Sequence, residues 1–218
     1  MYPSLPGKIL SKKKIYIEEN IFLTKHTREK QSTCKISYAY VVALKKCNNL
    51  NTEKNVEKAL SLTDKEIMDI QQAIKDQKVY LGDNIAAATY TGKGKTSKHS
   101  EYHLLTPSGK NKPSPVEALL KKQKGAKCVL FYTLNSPCLG KCLNVEKSSS
   151  IVDKLNVFSK INDRALVFTD VYRNDLNMEN LADAFKTVNG KISLYRCLGK
   201  GCIRCVDSGS VMNNNCLN

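Results

Sequence analysis

The sequence predicts an α/β domain: a three-layer arrangement with a mixed sheet of about five strands, helices on both faces, and the last two strands parallel. Three observations carry this. Five short apolar runs of strand length are spread along the chain. In the second half they alternate with segments of helical period, and one such segment separates the last two runs. A helix there forces those strands to be parallel, because antiparallel neighbours would be joined by a tight hairpin. At 218 residues, 41% hydrophobic and 25% charged, the chain can bury one full core and reads as one domain with appendages. The divisions are a basic N-terminal extension over 1–33, a main domain over 34–197 and a Cys-rich tail over 198–218.

Taken in order, residues 1–33 are irregular apart from a short expected strand at Ile15-Tyr16-Ile17, and residues 36–44 form the first convincing strand. Leu60, Ile67, Ile70 and Ile74 recur at helical spacing around the capping pattern Thr63-Asp64-Lys65-Glu66, which predicts a helix over 64–76. Residues 84–90 read as a second strand, followed by the basic loop Gly92-Lys93-Gly94-Lys95 at the doorstep of His99. Residues 126–134 make a third strand running directly into Asn135-Ser136-Pro137-Cys138. Ile151, Leu155, Phe158 and Ile161 have helical spacing, residues 165–168 are a strand, Leu181, Ala184 and Phe185 mark a helix over 180–188, and the chain returns to a strand at 192–195. There are no internal repeats.

The chemistry is concentrated in His99-Ser100-Glu101 and Pro137-Cys138-Leu139-Gly140-Lys141-Cys142. If both segments open helices, Cys138 and Cys142 share a face at i, i+4, and His99 can point a ring nitrogen at the same spot. Glu101, about 200° further round its helix, is left free to move protons. Three ligands of this kind leave a tetrahedral zinc one open position for water, as catalytic rather than structural sites do. Each half has a plain alternative, since H-x-E arises by chance and a helical Cys pair is commonly a buried apolar couple; it is the combination that points to zinc. His103, one turn from His99, is read as packing or hydrogen-bonding behind the site rather than as a ligand.

The formal charge of +15 and pI near 9.4 imply attraction to polyanions, with nucleic acid, an acidic membrane surface and a merely solvated surface as the readings. No stretch is long and apolar enough for a membrane span, and Met1 to Lys8 contain no apolar core of an export signal. The cysteines pull the other way. Beyond Cys138 and Cys142 there are seven, and Cys197, Cys202, Cys205 and Cys216 crowd the end of the chain as a disulfide-stapled tail, a second structural zinc site or free thiols.

On these motifs the chain resembles the cytidine deaminase superfamily over roughly residues 35–197. The helix between the last two strands resembles the polynucleotide branch, the AID/APOBEC-like enzymes, as does Ser136-Pro137-Cys138. His99-Ser100-Glu101-Tyr102 and the cysteine-bearing C-terminus are most similar to the secreted AID/APOBEC-like group of fish and amphibians. Three departures stand out: Asn135 replaces the aromatic that usually precedes S-P-C, the spacing between the cysteines is one residue longer than in P-C-x-x-C, and the chain has no Trp. The resemblance implies hydrolytic deamination of cytosine in single-stranded DNA or RNA, in defence against foreign nucleic acid, with Zn2+ on His99, Cys138 and Cys142 and Glu101 as proton shuttle. It also implies a backbone carbonyl from Ser136 near the exocyclic amine and stacking or context reading by Tyr172, which ends the fourth-strand run Phe168-Thr169-Asp170-Val171-Tyr172. The basic loops 93–98 and 110–112 are candidates for holding phosphates. A deaminase of free nucleosides and a catalytically silent zinc-containing nucleic-acid binder are the alternatives. Localisation stays open between an extracellular setting, from the resemblance and the tail, and a cytoplasmic or nuclear one.

Overall fold

The computed structural model describes residues 37–46, 58–198, 201–207 and 212–218. The expected strand at Ile15-Tyr16-Ile17, the N-terminal extension, Cys34 and Cys47 lie outside these residues. The strands are β1 (Tyr38–Leu44), β2 (Tyr80–Leu81), β3 (Ile85–Thr89), β4 (Cys128–Asn135), β5 (Asp163–Asp170), β6 (Ser193–Leu198) and β7 (Gly201–Arg204). They form a single sheet in the order β2-β3-β1-β4-β5-β6-β7.

The sheet therefore has seven strands rather than the five expected. β2 has only two residues, too few to show an alternation, and β7 is a short, largely exposed hairpin arm within the cysteine-rich segment. The expected parallel pair is present as β5 and β6, with Leu166 opposite Leu194, but the last strand of the chain, β7, runs antiparallel to β6. β4 is the pivot: it pairs antiparallel with β1 and parallel with β5.

Alternation along β1 separates two layers of core. Ala39, Val41 and Ala43 face the cluster holding Leu104, Val116, Leu119, Phe131, Phe168 and Phe185. Tyr40, Val42 and Leu44 face Leu60, Ile70, Ile74 and Tyr132 on the other side. Helices consequently cover both faces: α1 (Asp64–Lys75) covers the second, while α2 (Ser100–Leu105), α3 (Pro115–Lys122) and α4 (Leu181–Asn189) cover the first.

α1 starts at the expected capping box, in which Thr63 Oγ1 accepts from the Glu66 N–H and the Glu66 carboxylate accepts from the Thr63 N–H. α3 was not anticipated, although Ser114 and Glu117 form an equivalent box with Pro115 in the first turn. Two expected helices differ. Residues 153–158 form a 3-10 helix, with Ile151, Leu155, Phe158 and Ile161 nonetheless buried as their spacing requires. The Cys138 segment is a turn, closed by the Leu143 N–H on the Cys138 carbonyl at 2.9 Å. The residues that would continue a helix, 144–150, include Asn144 and three consecutive serines, which compete with helical hydrogen bonding.

At the far edge, disulfides join Cys197 to Cys202 across the β6–β7 hairpin and Cys205 to Cys216. Cys205 and Cys216 are buried in the same cluster as the helices of the first face. Arg196 donates to the carbonyls of Thr169, Asn215 and Asn218, holding residues 212–218 against β5. Among the described residues no helix is long and apolar enough to cross a membrane.

Candidate active site

The site is assembled where β4 and β5 end, against the start of α2. The Ser136 N–H donates to the Asp170 carbonyl at 2.7 Å, and Ser136 Oγ accepts from the Tyr172 N–H at 2.9 Å, so the two segments leave the sheet locked together. His99 is the N-cap residue of α2, in extended backbone, so its ring projects ahead of the helix. Its Nδ1 lies 3.6 Å from Cys138 Sγ and 3.4 Å from Cys142 Sγ.

These three residues suit a metal. Their candidate ligand atoms lie within 4.8 Å of one another. A tetrahedral zinc with ordinary Zn–N and Zn–S bonds needs N···S separations of about 3.6 Å, close to those present. The three groups are electrostatically coupled, and the thiolate character is concentrated on Cys138. A hydrogen bond with Cys142, reinforced by His99, pulls the Cys138 thiol down to about 4, whereas the proton shared with Cys138 and burial push Cys142 up. The contact with Cys138 raises His99 against the opposing effect of burial.

Glu101, in the first turn of α2, is 4% exposed. Its Oε1 accepts from Thr133 Oγ1 and its Oε2 from Ser100 Oγ, both at 3.0 Å. Burial pushes its carboxyl up, partly offset by its hydrogen bonds and by His99. A cavity of about 380 Å³ opens over it, lined by His99, Glu101, Ser136 and Tyr172 together with Ser37, Tyr90, Asn135 and residues of the 92–97 loop. The rings of Tyr172 and His99 are 6.4 Å apart.

The loop is shaped by its glycines and by a lysine. Gly92 has φ +77°, and a Cβ there would stand 3.3 Å from the backbone of Thr96 and Ser97. Thr91 and Lys98 pair as an antiparallel bridge at its base. Lys141, between the two site cysteines, reaches across to Ser97 Oγ at 2.7 Å, the Ser97 carbonyl at 2.9 Å and the Gly94 carbonyl at 3.2 Å.

The structure thus brings His99, Glu101, Ser136, Cys138, Cys142 and Tyr172 into one place. His103 is outside the ligand group: its Nε2 is 2.8 Å from Thr91 Oγ1 at the base of the loop. Lys93 reaches the cavity wall, whereas Lys110 and Lys112 do not line it. Sequence reasoning missed four residues. Thr133 lies two positions before Asn135 in β4, Lys141 sits between the cysteines, and Tyr90 ends the β3 run; Asp175 had no local signal. The Asp175 carboxylate is buried and accepts the Leu139 N–H at 2.8 Å, bracing the turn between Cys138 and Cys142.

A His/Cys/Cys group able to hold a metal ion, with a buried carboxylate beside it at the strand ends of a mixed α/β sheet, is the arrangement of the metal-dependent base deaminases. The chain belongs to the family described as Secreted Novel AID/APOBEC-like Deaminase 1, whose profile matches residues 21–218. No curated protein and no solved structure matches it.

Proposed function

We propose that this protein is a zinc-dependent hydrolase that converts cytosine to uracil in single-stranded polynucleotides, taking up water and releasing ammonia. The observation that carries this reading is the placement of the Glu101 carboxylate, buried and held from both sides at the cavity, next to His99, Cys138 and Cys142. Zinc on those three residues would supply Lewis acidity and a water of lowered pKa. Glu101 takes a proton from the attacking water and returns protons to N3 of the base and to the departing amine. Burial raises its pKa, the direction that suits a group that must both accept and give a proton. Tyr172, partly buried at the cavity beside His99, offers a ring face to the base, and Ser136 positions the Tyr172 backbone. The charge of +15 favours a polyanionic substrate over a free nucleoside. The Cys197–Cys202 and Cys205–Cys216 disulfides suit an oxidising setting outside the cytosol, where such an enzyme would meet foreign nucleic acid.

The test is to sequence randomised single-stranded DNA and RNA pools after incubation with wild type and Glu101→Ala, with zinc content measured in parallel. C-to-T or C-to-U changes confined to wild type are the expected result. Equal rates in the two proteins would sink the mechanism, and turnover of free cytidine alone would move the substrate to nucleosides.

A further inference from the structure

Beside the catalytic cavity lies a second hollow of about 590 Å³, with Ser97 lining both. Tyr102 of α2 lines it, and two ammonium groups stand over that ring: Lys98 Nζ at 5.8 Å and Lys154 Nζ at 5.6 Å from the centroid. These distances are within cation–π range, so the ring holds both charges in place. Lys141 and Lys147 line the same hollow, with the hydroxyl side chains of Ser148 and Ser149. The lysines come from three separate segments: the 92–98 loop, the Cys138–Cys142 turn and residues 147–154.

No carboxylate lines this hollow. Among the described residues the ion pairs engage Lys65, Lys78, Lys122 and Lys186, and none engages Lys98, Lys141, Lys147 or Lys154. Lys147 gives a hydrogen bond to the Gly140 carbonyl and Lys154 one to the Ser150 carbonyl, which fixes each head while leaving further N–H donors for a ligand. Ammonium groups gathered without counter-charge repel one another, and an anion placed among them removes that cost.

We propose that this hollow is a second binding site, holding backbone phosphates of the same single strand whose target base enters the catalytic cavity. The inference rests on the polynucleotide reading for the identity of the strand. A polynucleotide is favoured over a sulfated polysaccharide by continuity: Lys93 on the cavity wall and Lys98 on the hollow belong to one loop, with Ser97 between the two spaces.

The experiment measures binding, not turnover, so it does not depend on activity. Full-length Glu101→Ala and Glu101→Ala/Lys147→Gln/Lys154→Gln proteins are titrated with a fluorescent 20-nucleotide single strand from 50 to 300 mM salt. In parallel, both are titrated with a heparin fragment. Removing the two cations should weaken strand binding about tenfold and make the log–log salt slope shallower by about 1.4. An unchanged affinity and slope would overturn the proposal, as would a loss confined to heparin. Lys98→Gln, which keeps the Thr91–Lys98 backbone bridge and removes only the side-chain charge, gives a second variant if the first fails to fold, with a slope expected to be shallower by about 0.7. If the wild type deaminates no polynucleotide yet binding falls as expected, the groove stands and the catalytic reading fails. If it deaminates while binding is unmoved, the groove alone fails.

Discussion

Thr133 Oγ1 donates to Glu101 Oε1 at 3.0 Å, linking the buried end of β4 to the first turn of α2 across 32 residues of sequence. With Ser100 on the other oxygen, the carboxylate is held by two hydroxyl donors. Such donors favour its charged form and fix its direction. Thr133→Val keeps the shape of the side chain and removes one donor. Turnover should fall about tenfold with metal content unchanged. The folded-state pKa of Glu101 rises further when a donor to its charged form is lost, so the acid limb of the pH–rate profile should move to higher pH; an unmoved limb would leave Thr133 with no part in setting the carboxylate.

Metal removal should be felt by the whole domain, because the His99, Cys138 and Cys142 group joins the start of α2 to the turn after β4. A strong chelator is expected to lower the melting temperature by about 5–15 °C, reversed by added zinc. Cys142→Ala should melt near the chelated wild type and ignore added zinc. Equal melting with and without chelator would show that these residues carry no metal.

Asp175 gives a sharper test of the turn. Asp175→Ala strips the acceptor from the Leu139 N–H without touching a ligand atom. Zinc affinity, measured by competition with a chromophoric chelator, should weaken about 10- to 100-fold, the range seen when groups supporting metal ligands are removed. An undiminished affinity would mean that the turn holds its shape from Pro137 and the Leu143 bond alone.

Oxidation state should matter most at Cys205–Cys216, which closes 11 residues of separation and is buried against the helices of one face. Replacing both by Ala should cost about 2–3 kcal/mol in chemical denaturation, and reductant should lower the wild type by at least as much, since it opens Cys197–Cys202 as well. The Cys197–Cys202 bridge spans a separation of 5 within a hairpin, and its loss should cost less.

Much of this was legible in the sequence because it is local. The strands β1, β3, β4, β5 and β6, the box at Thr63 and Glu66, and the triad with Glu101 all announce themselves through spacing or short motifs. What escaped is either too short or too distant. β2 offers two residues, and β7 has mostly exposed side chains, so neither gives a periodic signal. The capping box at Ser114 was readable in Ser114-Pro115-Val116-Glu117. Asp175 and Thr133 become site residues only through contacts 36 and 32 positions away in sequence, which no local pattern encodes. The Cys138 turn was mistaken for a helix because i, i+4 spacing serves a tight turn as well as a helix. The outcome depended on the serine-rich residues that follow.

Lys141 gives the molecule a property that neither the loop nor the cysteines have alone. Its ammonium grips Ser97 and Gly94, while its own backbone is part of the turn carrying Cys138 and Cys142. The doorway of the cavity and the ligand turn therefore behave as one mechanical unit. Grafting the 92–98 loop of another protein onto this scaffold, or lengthening it, would also tug at the sulfur ligands. Swapping specificity here requires transplanting the loop and the cysteine turn as a matched cassette.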